Sequence, residues 1–436
     1  MQQKLLSNKS TIFFIMDFEY ILATDLDRAW LNFELDLPLQ PGPNGETNPF
    51  YVDRPGNPTA RLERELLREY SQTPKYFFSG HRGCGKSTEL RRLAVDPKIL
   101  ARYWPIHFTI RDEADINNLD FKDVLVAVGG RLFLEYRKAG GRLPEQLLKE
   151  LNDWRGKVEA ETKTILAGRV SEKEIEAGIE AFFTKIGFKL KLEPATRTEL
   201  RQVFERNLTE LIDVINKIAT AIHANEKRPP LVLIDDLDKP DLERSREIFY
   251  GHRETMLQPN VPIVYTVSSP LFYSPEFQAI RDRAIFLSNV KLHEQGQPAA
   301  RDAEGYRTMQ LFVHKRMLSE LITNEALEAA IHTSGGLFRE MARVMRSSID
   351  HASAVGRKRI EIEDVQKAEA EIRGEYRRFL TREQREVLND VRQNNRYDEP
   401  EKIAPLLQML AVLEYANGEP WCDVHPALLK LLGEEE

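Results

Sequence analysis

The chain has 436 residues, enough for two or three domains that each bury a core. Its 62 Lys and Arg against 69 Asp and Glu leave a net charge of -7, which excludes a protein that coats nucleic acid over its whole surface but permits a local basic face. Only two cysteines occur, Cys84 and Cys422, far apart in the chain. That excludes a disulfide framework and a thiolate zinc site and fits a reducing compartment.

In chain order, the first apolar run is Ile12–Met16 (IFFIM), far too short to span a bilayer and followed by acidic residues rather than a cleavage site. No membrane partner is expected, and the location is read as cytoplasmic. Residues 1–50 read as an N-terminal arm, because "LPLQPGPNGETNPFYVDRPGNP" is crowded with turn formers. The short helix "TARLERELLREY" follows, with Leu62, Leu66 and Leu67 on one face.

Five runs have strand length and composition: the one opening at Lys75, then Tyr103–Ile110, Leu231–Asp236, Pro262–Ser269 and Ala284–Val290. Their lack of polar alternation predicts strands buried on both faces. The expected fold is therefore an α/β three-layer sandwich with a five-stranded parallel sheet, within a core of residues 51–300. A helical insertion is expected at about 111–229. Val124, Leu125, Val128, Leu132 and Phe133 form one apolar stripe there. A second runs unbroken from Leu200 to Ile222, and "GFKLKLEP" (Gly187–Pro194) alternates like a short strand. Residues 301–372 read as a helical lid. Residues 373–436 read as helix, helix ("IAPLLQMLAVLEYA") and a tight turn at Asn417-Gly418, the order of a winged helix.

The chemistry concentrates in "KYFFSGHRGCGKSTELRRL" (Lys75–Leu93), where a strand meets a helix at a glycine-rich bend. Gly80, Gly83 and Gly85 let backbone N–H groups approach phosphate oxygens at conformations a side chain forbids, and the following helix aims its positive end at the same anion. Gly80, His81, Arg82, Gly83, Cys84, Gly85, Lys86, Ser87 and Thr88 are expected around the phosphates, with Lys86 reaching the outer two and Ser87 ligating Mg²⁺. A partner carboxylate is required at the end of a sister strand. "LVLIDDLDKP" supplies Asp235 for Mg²⁺, Asp236 to orient or deprotonate an attacking water, and Asp238 as a third acid.

Together "GHRGCGKS" and "LVLIDDLDKP" resemble the AAA+/STAND division of P-loop ATPases, and within it the origin-initiator, KAP and NACHT-like branches, from about Tyr51 to the C-terminus. The resemblance implies ATP and Mg²⁺ as ligands and a phosphate-loop strand lying centrally beside the strand that ends in Asp235. It also implies a γ-phosphate sensor at Ser268 or Ser269, an arginine finger at Arg283 (Arg281 being the alternative), a lid sensor at Arg339, and adenine contacts at Val52 and Arg54. Relatives usually carry Glu where Asp236 stands, which implies slow turnover and suits a switch. The target stays open at this point. DNA would meet the C-terminal domain through Arg373, Arg377, Arg378, Arg382, Arg385, Arg392 and Arg396; a separately encoded effector protein, in phage defence or signalling, is the alternative. Assembly into a homo-oligomer is implied by the finger. A small-molecule kinase has no use for the insertion, lid and terminal domain.

Overall fold

The computed structural model describes residues 18–42, 45–57, 59–68, 73–162, 175–416 and 419–433. Ile12–Met16 and the Asn417-Gly418 turn lie outside the described residues. Five strands, β1 (Lys75–Gly80), β2 (Trp104–Thr109), β3 (Pro230–Asp235), β4 (Ile263–Ser268) and β5 (Ala284–Leu287), form one parallel sheet in the order β2-β3-β4-β1-β5. All five runs expected to be strands are strands. One implied neighbour relation is corrected: β1 lies between β4 and β5, so β4 separates the phosphate-loop strand from β3.

Alternating side chains explain the three layers. Phe77, Ile106, Phe108, Val232, Ile234, Ile263 and Tyr265 point to one face and pack into the core shared with the insertion helices. Tyr76, Phe78, Leu231, Leu233, Val264, Ile285 and Leu287 point to the other. That second face is covered by α2 (Ala60–Leu67), α3 (Lys86–Val95) and α4 (Pro97–Arg102), through Leu62, Leu66, Leu90, Leu93 and Ile99. Leu413, Tyr415 and Trp421, from the C-terminal end of the chain, complete it.

The insertion is helical throughout its described length: Phe121–Lys138, Glu145–Glu161, Ile175–Leu192, Pro194–Arg206 and Leu208–Glu226. The strand expected at Gly187–Pro194 is instead the end of a helix. Ile179, Phe182, Phe183, Ile186 and Leu190 recur at helical spacing and are buried, whereas Phe188 and Leu192, the other members of the apparent alternation, are exposed. The long stripe is broken at Asn207, whose Nδ2 donates to the Val203 carbonyl and so competes with the helical ladder.

Helices Ala303–His314, Asn324–Ser334, Phe338–Ala354 and Ile362–Phe379 form the lid. The last of these runs through residue 372, so the division from the C-terminal region falls after Phe379, where Thr381 and Gln384 cap the next helix, Arg382–Asn394. The N-terminal segment is also part of this body. α1 (Leu26–Asn32) and Phe33 share the lid's core, and Asn32 Nδ2 donates to the Arg316 carbonyl at 2.6 Å. A region expected to be an extended arm thus folds onto the lid from residue 21 to 33.

The C-terminal region contains the helices Arg382–Asn394 and Pro400–Gln408, then β8 (Val412–Ala416) and β9 (Pro420–Val424), which pair antiparallel; β6 (His293–Glu294) and β7 (Gln297–Arg301) form a separate hairpin. The helix expected across Ile403–Ala416 stops at Gln408. Leu410 takes φ +63, and Val412 onward joins the hairpin. Tyr415 and Trp421 stack with ring centroids 4.6 Å apart against the sheet's second face, a contact worth about 0.5–1.5 kcal/mol beyond burial.

Candidate functional site

A cleft of about 330 Å³ opens where β1, β3, the N-terminal segment and the lid meet. Gly83, Gly85, Lys86, Ser87 and Thr88 line one end, Asp235, Asp236 and Asp238 line its floor, and Val52, Arg54 and Arg339 line its walls. The sequence-derived loop and acid motifs therefore converge on one cavity.

Backbone conformation explains the glycines. Gly83 and Gly85 have φ +84 and +100, where L side chains are strained. A Cβ on Gly83 would lie 2.3 Å from Cβ of Arg339, and one on Gly85 would lie 2.8 Å from Nη2 of Arg54. The lid and the segment from Tyr51 to Arg54 thus close directly onto bare backbone. Arg339 N–H donates to the Gly83 carbonyl at 3.3 Å, and its guanidinium pairs with Asp36 at 2.9 Å. Arg54 donates to the Ser288 carbonyl and lies over the Phe338 ring. Glu89, on α3, receives the Tyr51 hydroxyl and Arg92, tying that segment to the phosphate-loop helix.

Lys86 is buried. Its Nζ donates to the carbonyls of Gly80 and His81 at 2.8 and 3.0 Å and pairs with Asp238 at 2.8 Å. Burial disfavours both charges, yet each partner's charge wins: the Lys86 pKa is raised and that of Asp238 lowered. A phosphate reaching Lys86 must displace Asp238 from it. Burial alone would raise the Asp235 carboxyl, but the adjoining His107 and Ser87 and the charge of Arg91 hold it down at about 2. A carboxylate kept ionised beside the Ser87 hydroxyl is the donor set a Mg²⁺ shared with phosphate requires, since that ion keeps most of its shell as water and phosphate oxygen. The residues present fit the ion.

Asp236 takes φ +64, an uncommon conformation for a residue with a side chain. The twist turns its carboxylate to the Thr109 hydroxyl at 2.7 Å, with Arg111 at 3.5 Å and Lys239 at 3.8 Å. Burial and the Asp235 charge raise its pKa against those partners. A carboxyl group with raised basicity is suited to accepting a proton.

Other expected residues lie elsewhere. Ser268 is the register partner of Gly80 at the end of β4, but neither it nor Ser269 lines the cleft; Thr266, two residues earlier, bridges the Ile234 carbonyl and the Leu237 N–H. Arg283 precedes β5 at the opposite end of the sheet from the loop, near Lys75, whose pKa burial and then Arg283 pull down to about 7. One chain does not bring Arg283 to its own cleft. Arg82 is exposed and Cys84 buried, and neither faces the cleft. His81 turns away from the cleft: its Nε2 accepts the Glu414 N–H of β8 at 2.7 Å. Burial and then the charge of Lys86 hold its pKa near 3, so the ring is neutral.

Sequence reasoning missed several lining residues: Phe33 and Leu35–Leu39, Glu89, Arg91, Arg111, Lys239, Phe312, Arg316 and Phe338. Arg91 was within reach of a helical-spacing argument from Ser87, four residues before it, and Glu89 of one from Lys86, three residues before it. The others come from segments that only the folded chain brings together.

No protein-family profile matches this chain, and no curated protein matches it in sequence. Similar solved structures include Cdc6p from Pyrobaculum aerophilum, with 12% identity over 89% of this chain and 98% of that one and a TM-score of 0.40. The ORC2 protein of Aeropyrum pernix, solved as ADPNP-ADP complexes, has 11% identity over 92% and 96% with a TM-score of 0.43. Drosophila ORC bound to DNA has 13% identity over 98% and 93% with a TM-score of 0.38. These are likenesses of overall shape. In its own strand order and in its two motifs, the chain resembles AAA+ P-loop ATPases.

Proposed function

We propose that the chain is an ATP-binding, slowly hydrolysing switch in which the nucleotide's state repositions the lid and the C-terminal region. The carrying observation is that three separate parts of the molecule meet on one eight-residue loop. The lid bonds Gly83 through Arg339, the N-terminal segment covers Gly85 through Arg54, and the C-terminal hairpin bonds His81 through Glu414. A ligand on that loop therefore makes different contacts with each arrangement of the three parts, as a switch requires.

In this reading Lys86 grips the outer phosphates, and Ser87 and Asp235 hold Mg²⁺, which when bound neutralises phosphate charge. Asp236 orients water, and Arg339 exchanges Asp36 for phosphate. Arg283, which does not line its own chain's cleft, acts on that of a neighbouring copy. Calorimetry and phosphate release on the wild type, Lys86→Ala and Asp236→Asn test it. Wild type binds ATP with Mg²⁺, Lys86→Ala loses at least tenfold in affinity, and Asp236→Asn binds but turns over at least tenfold more slowly. Equal binding and turnover in all three would refute the assignment.

The target divides into two readings. DNA would be met through the arginines from Arg373 to Arg396. A protein effector is the second reading, favoured by pairing within that set: Arg373 with Glu369 at 3.0 Å and Arg382 with Glu386 at 3.3 Å. A mobility assay separates them, because binding to DNA should weaken steeply with salt. Failure to shift any duplex at low salt leaves the effector.

A further inference from the structure

The cleft's charges are matched except at one place. Among the described residues that line it, six of seven cations have a carboxylate within 4.0 Å: Arg54 with Glu89, Lys86 with Asp238, Arg91 with Asp235, Arg111 and Lys239 with Asp236, and Arg339 with Asp36. Arg316 is the seventh. It is buried, and its partners are two carbonyls, Phe50 and Phe312, both served by Nη1 at 3.1 and 2.9 Å. Its guanidinium carbon lies 3.8 Å from the Phe312 ring centroid and 5.1 Å from that of Phe50. Burial lowers its pKa, but an arginine stays protonated at neutral pH.

A buried cation without an anion is costly unless its donors are used. Nη1 is satisfied, so Nε and Nη2 retain N–H groups with no protein acceptor among the described residues, on a side chain that lines the cleft. Position decides what they meet. The segment from Phe50 to Arg54 runs along the cleft, with Arg54 over Gly85 at the phosphate end and Phe50 four residues away, a reach of up to ~13 Å. Arg316 is fixed to the Phe50 end beside Phe312, whose ring is tilted against Phe33 at 6.1 Å and stacks at 5.1 Å on Phe338, the ring that continues towards Gly85. That end is lined by aromatic side chains, which suits a base rather than phosphate.

We propose that Arg316 is a specificity-determining residue whose free guanidinium edge reads the acceptor N7 of a purine lying against the aromatic wall. This deepens the proposed function and rests on the cleft being a nucleotide site. The planar guanidinium edge can hold one N–H in line with N7, an acceptor every purine carries and a pyrimidine lacks; in adenine the neighbouring N6 is itself a donor, so a single bond is expected.

Three probes, ATP, 7-deaza-ATP and inorganic tripolyphosphate, are titrated with Mg²⁺ into wild type, Arg316→Lys and Arg316→Met. Wild type is expected to bind ATP about tenfold tighter than 7-deaza-ATP, the loss of one buried charge-assisted hydrogen bond. In both variants the two nucleotides bind within about twofold of each other, and tripolyphosphate binds all three proteins alike. Should Arg316→Met fail to fold, Arg316→Lys, which keeps the charge and loses the fork, carries the comparison. The proposal is overturned if wild type does not distinguish the two nucleotides, or if the variants weaken both equally and keep their ratio, which is the mark of a purely structural arginine. If wild type binds tripolyphosphate and ATP not at all, the nucleotide reading of the cleft falls with it.

Discussion

The phosphate loop has two sides built on opposite terms. Its front, Gly83 and Gly85 to Thr88, faces a polar cleft in which side-chain cations rest on carboxylates that a ligand can replace. Its back, Gly80, His81 and Cys84, is dry: a Cβ on Gly80 would meet the Leu287 carbonyl at 2.6 Å, and His81 is closed off by the C-terminal hairpin. Around that contact lie Asn289, donating to the Glu414 carbonyl, and Tyr273, 3.3 Å from Cys422. The front is made to exchange partners and the back to keep them. Because packed interiors transmit displacement, a loop that moves to accept phosphate on one side disturbs docking on the other.

The largest effect that would test this contrast is expected at Gly83. Gly83→Ala combines a positive φ with a methyl group 2.3 Å from Cβ of Arg339, and neither atom is the tip of a flexible chain. Gly56→Ala is the control, because φ there is +70 with open space around the added methyl. The strain common to both costs about 1–2 kcal/mol. The clash should cost Gly83→Ala several kcal/mol more unless the lid lifts, and a lifted lid should weaken ATP binding at least tenfold. Equal melting temperatures and equal affinities for the two variants would show that the lid does not close on this glycine.

A pH experiment probes the back of the loop. Burial pushes the Glu414 carboxyl up to about 7 from its usual 4.5, against the hydrogen bond from Tyr273. The folded chain therefore holds a proton that the unfolded chain has released once the pH passes 4.5. The stability this group contributes is whole below 4.5, falls as pH rises through 7 and is absent above it, an effect on the order of 3 kcal/mol. His81, near 3, stays neutral in the folded chain over this range and is common to both proteins compared. Urea unfolding at pH 5 and pH 8 should show Glu414→Gln matching wild type at pH 5 and exceeding it at pH 8. A difference that does not change with pH would remove Glu414 from the docking account.

His81 itself offers a finer test. Replacing it with Leu leaves the Glu414 N–H buried without an acceptor, at a cost of about 1–3 kcal/mol. Hydrogen exchange should then rise tenfold or more at 412–424 and much less in β3. Protection falling equally in both would indicate general destabilisation instead of a released hairpin.

These two sides also mark what could be read before the fold was known. That Gly83, Gly85, Lys86, Ser87 and Asp235 would line one cleft was legible, because the two motifs that carry them have a use only when they meet. The three central strands were legible because double burial removes polar alternation; β2, at the sheet's edge, is a strand but buries only Ile106 and Phe108 fully, against the expectation of burial on both faces. The back of the loop was not legible, since His81 and Cys84 fill the motif's variable positions, and the partner of His81 lies 333 residues away in the chain. The same holds for Arg316, whose neighbours Asn32, Phe50 and Phe312 come beside it only in the folded chain. The misread segments failed for local reasons. Phe188, Leu190 and Leu192 imitate a strand over too short a window to outvote helical spacing, and Leu410 at φ +63 follows the end of a helix that apolar content alone would extend.

The smallest predicted effect concerns the front again. Asp36 is mostly exposed, and its pair with Arg339 is of the kind worth about 0–1 kcal/mol in water. If Arg339 leaves Asp36 to meet phosphate, that pair opposes binding, and Asp36→Ala should tighten ATP by up to about fivefold. The gain should shrink as salt is raised, because screening weakens the exposed pair in the wild type first. The contrast with Asp238 sharpens the point. Asp238 is buried on Lys86, so Asp238→Ala leaves an uncompensated buried charge and destabilises the chain, whereas Asp36→Ala leaves an arginine that water can reach. An Asp36→Ala protein that binds ATP more weakly than wild type would mean that Asp36 positions Arg339 for phosphate instead of competing with it, and the front of the loop would then be pre-formed, not exchanged.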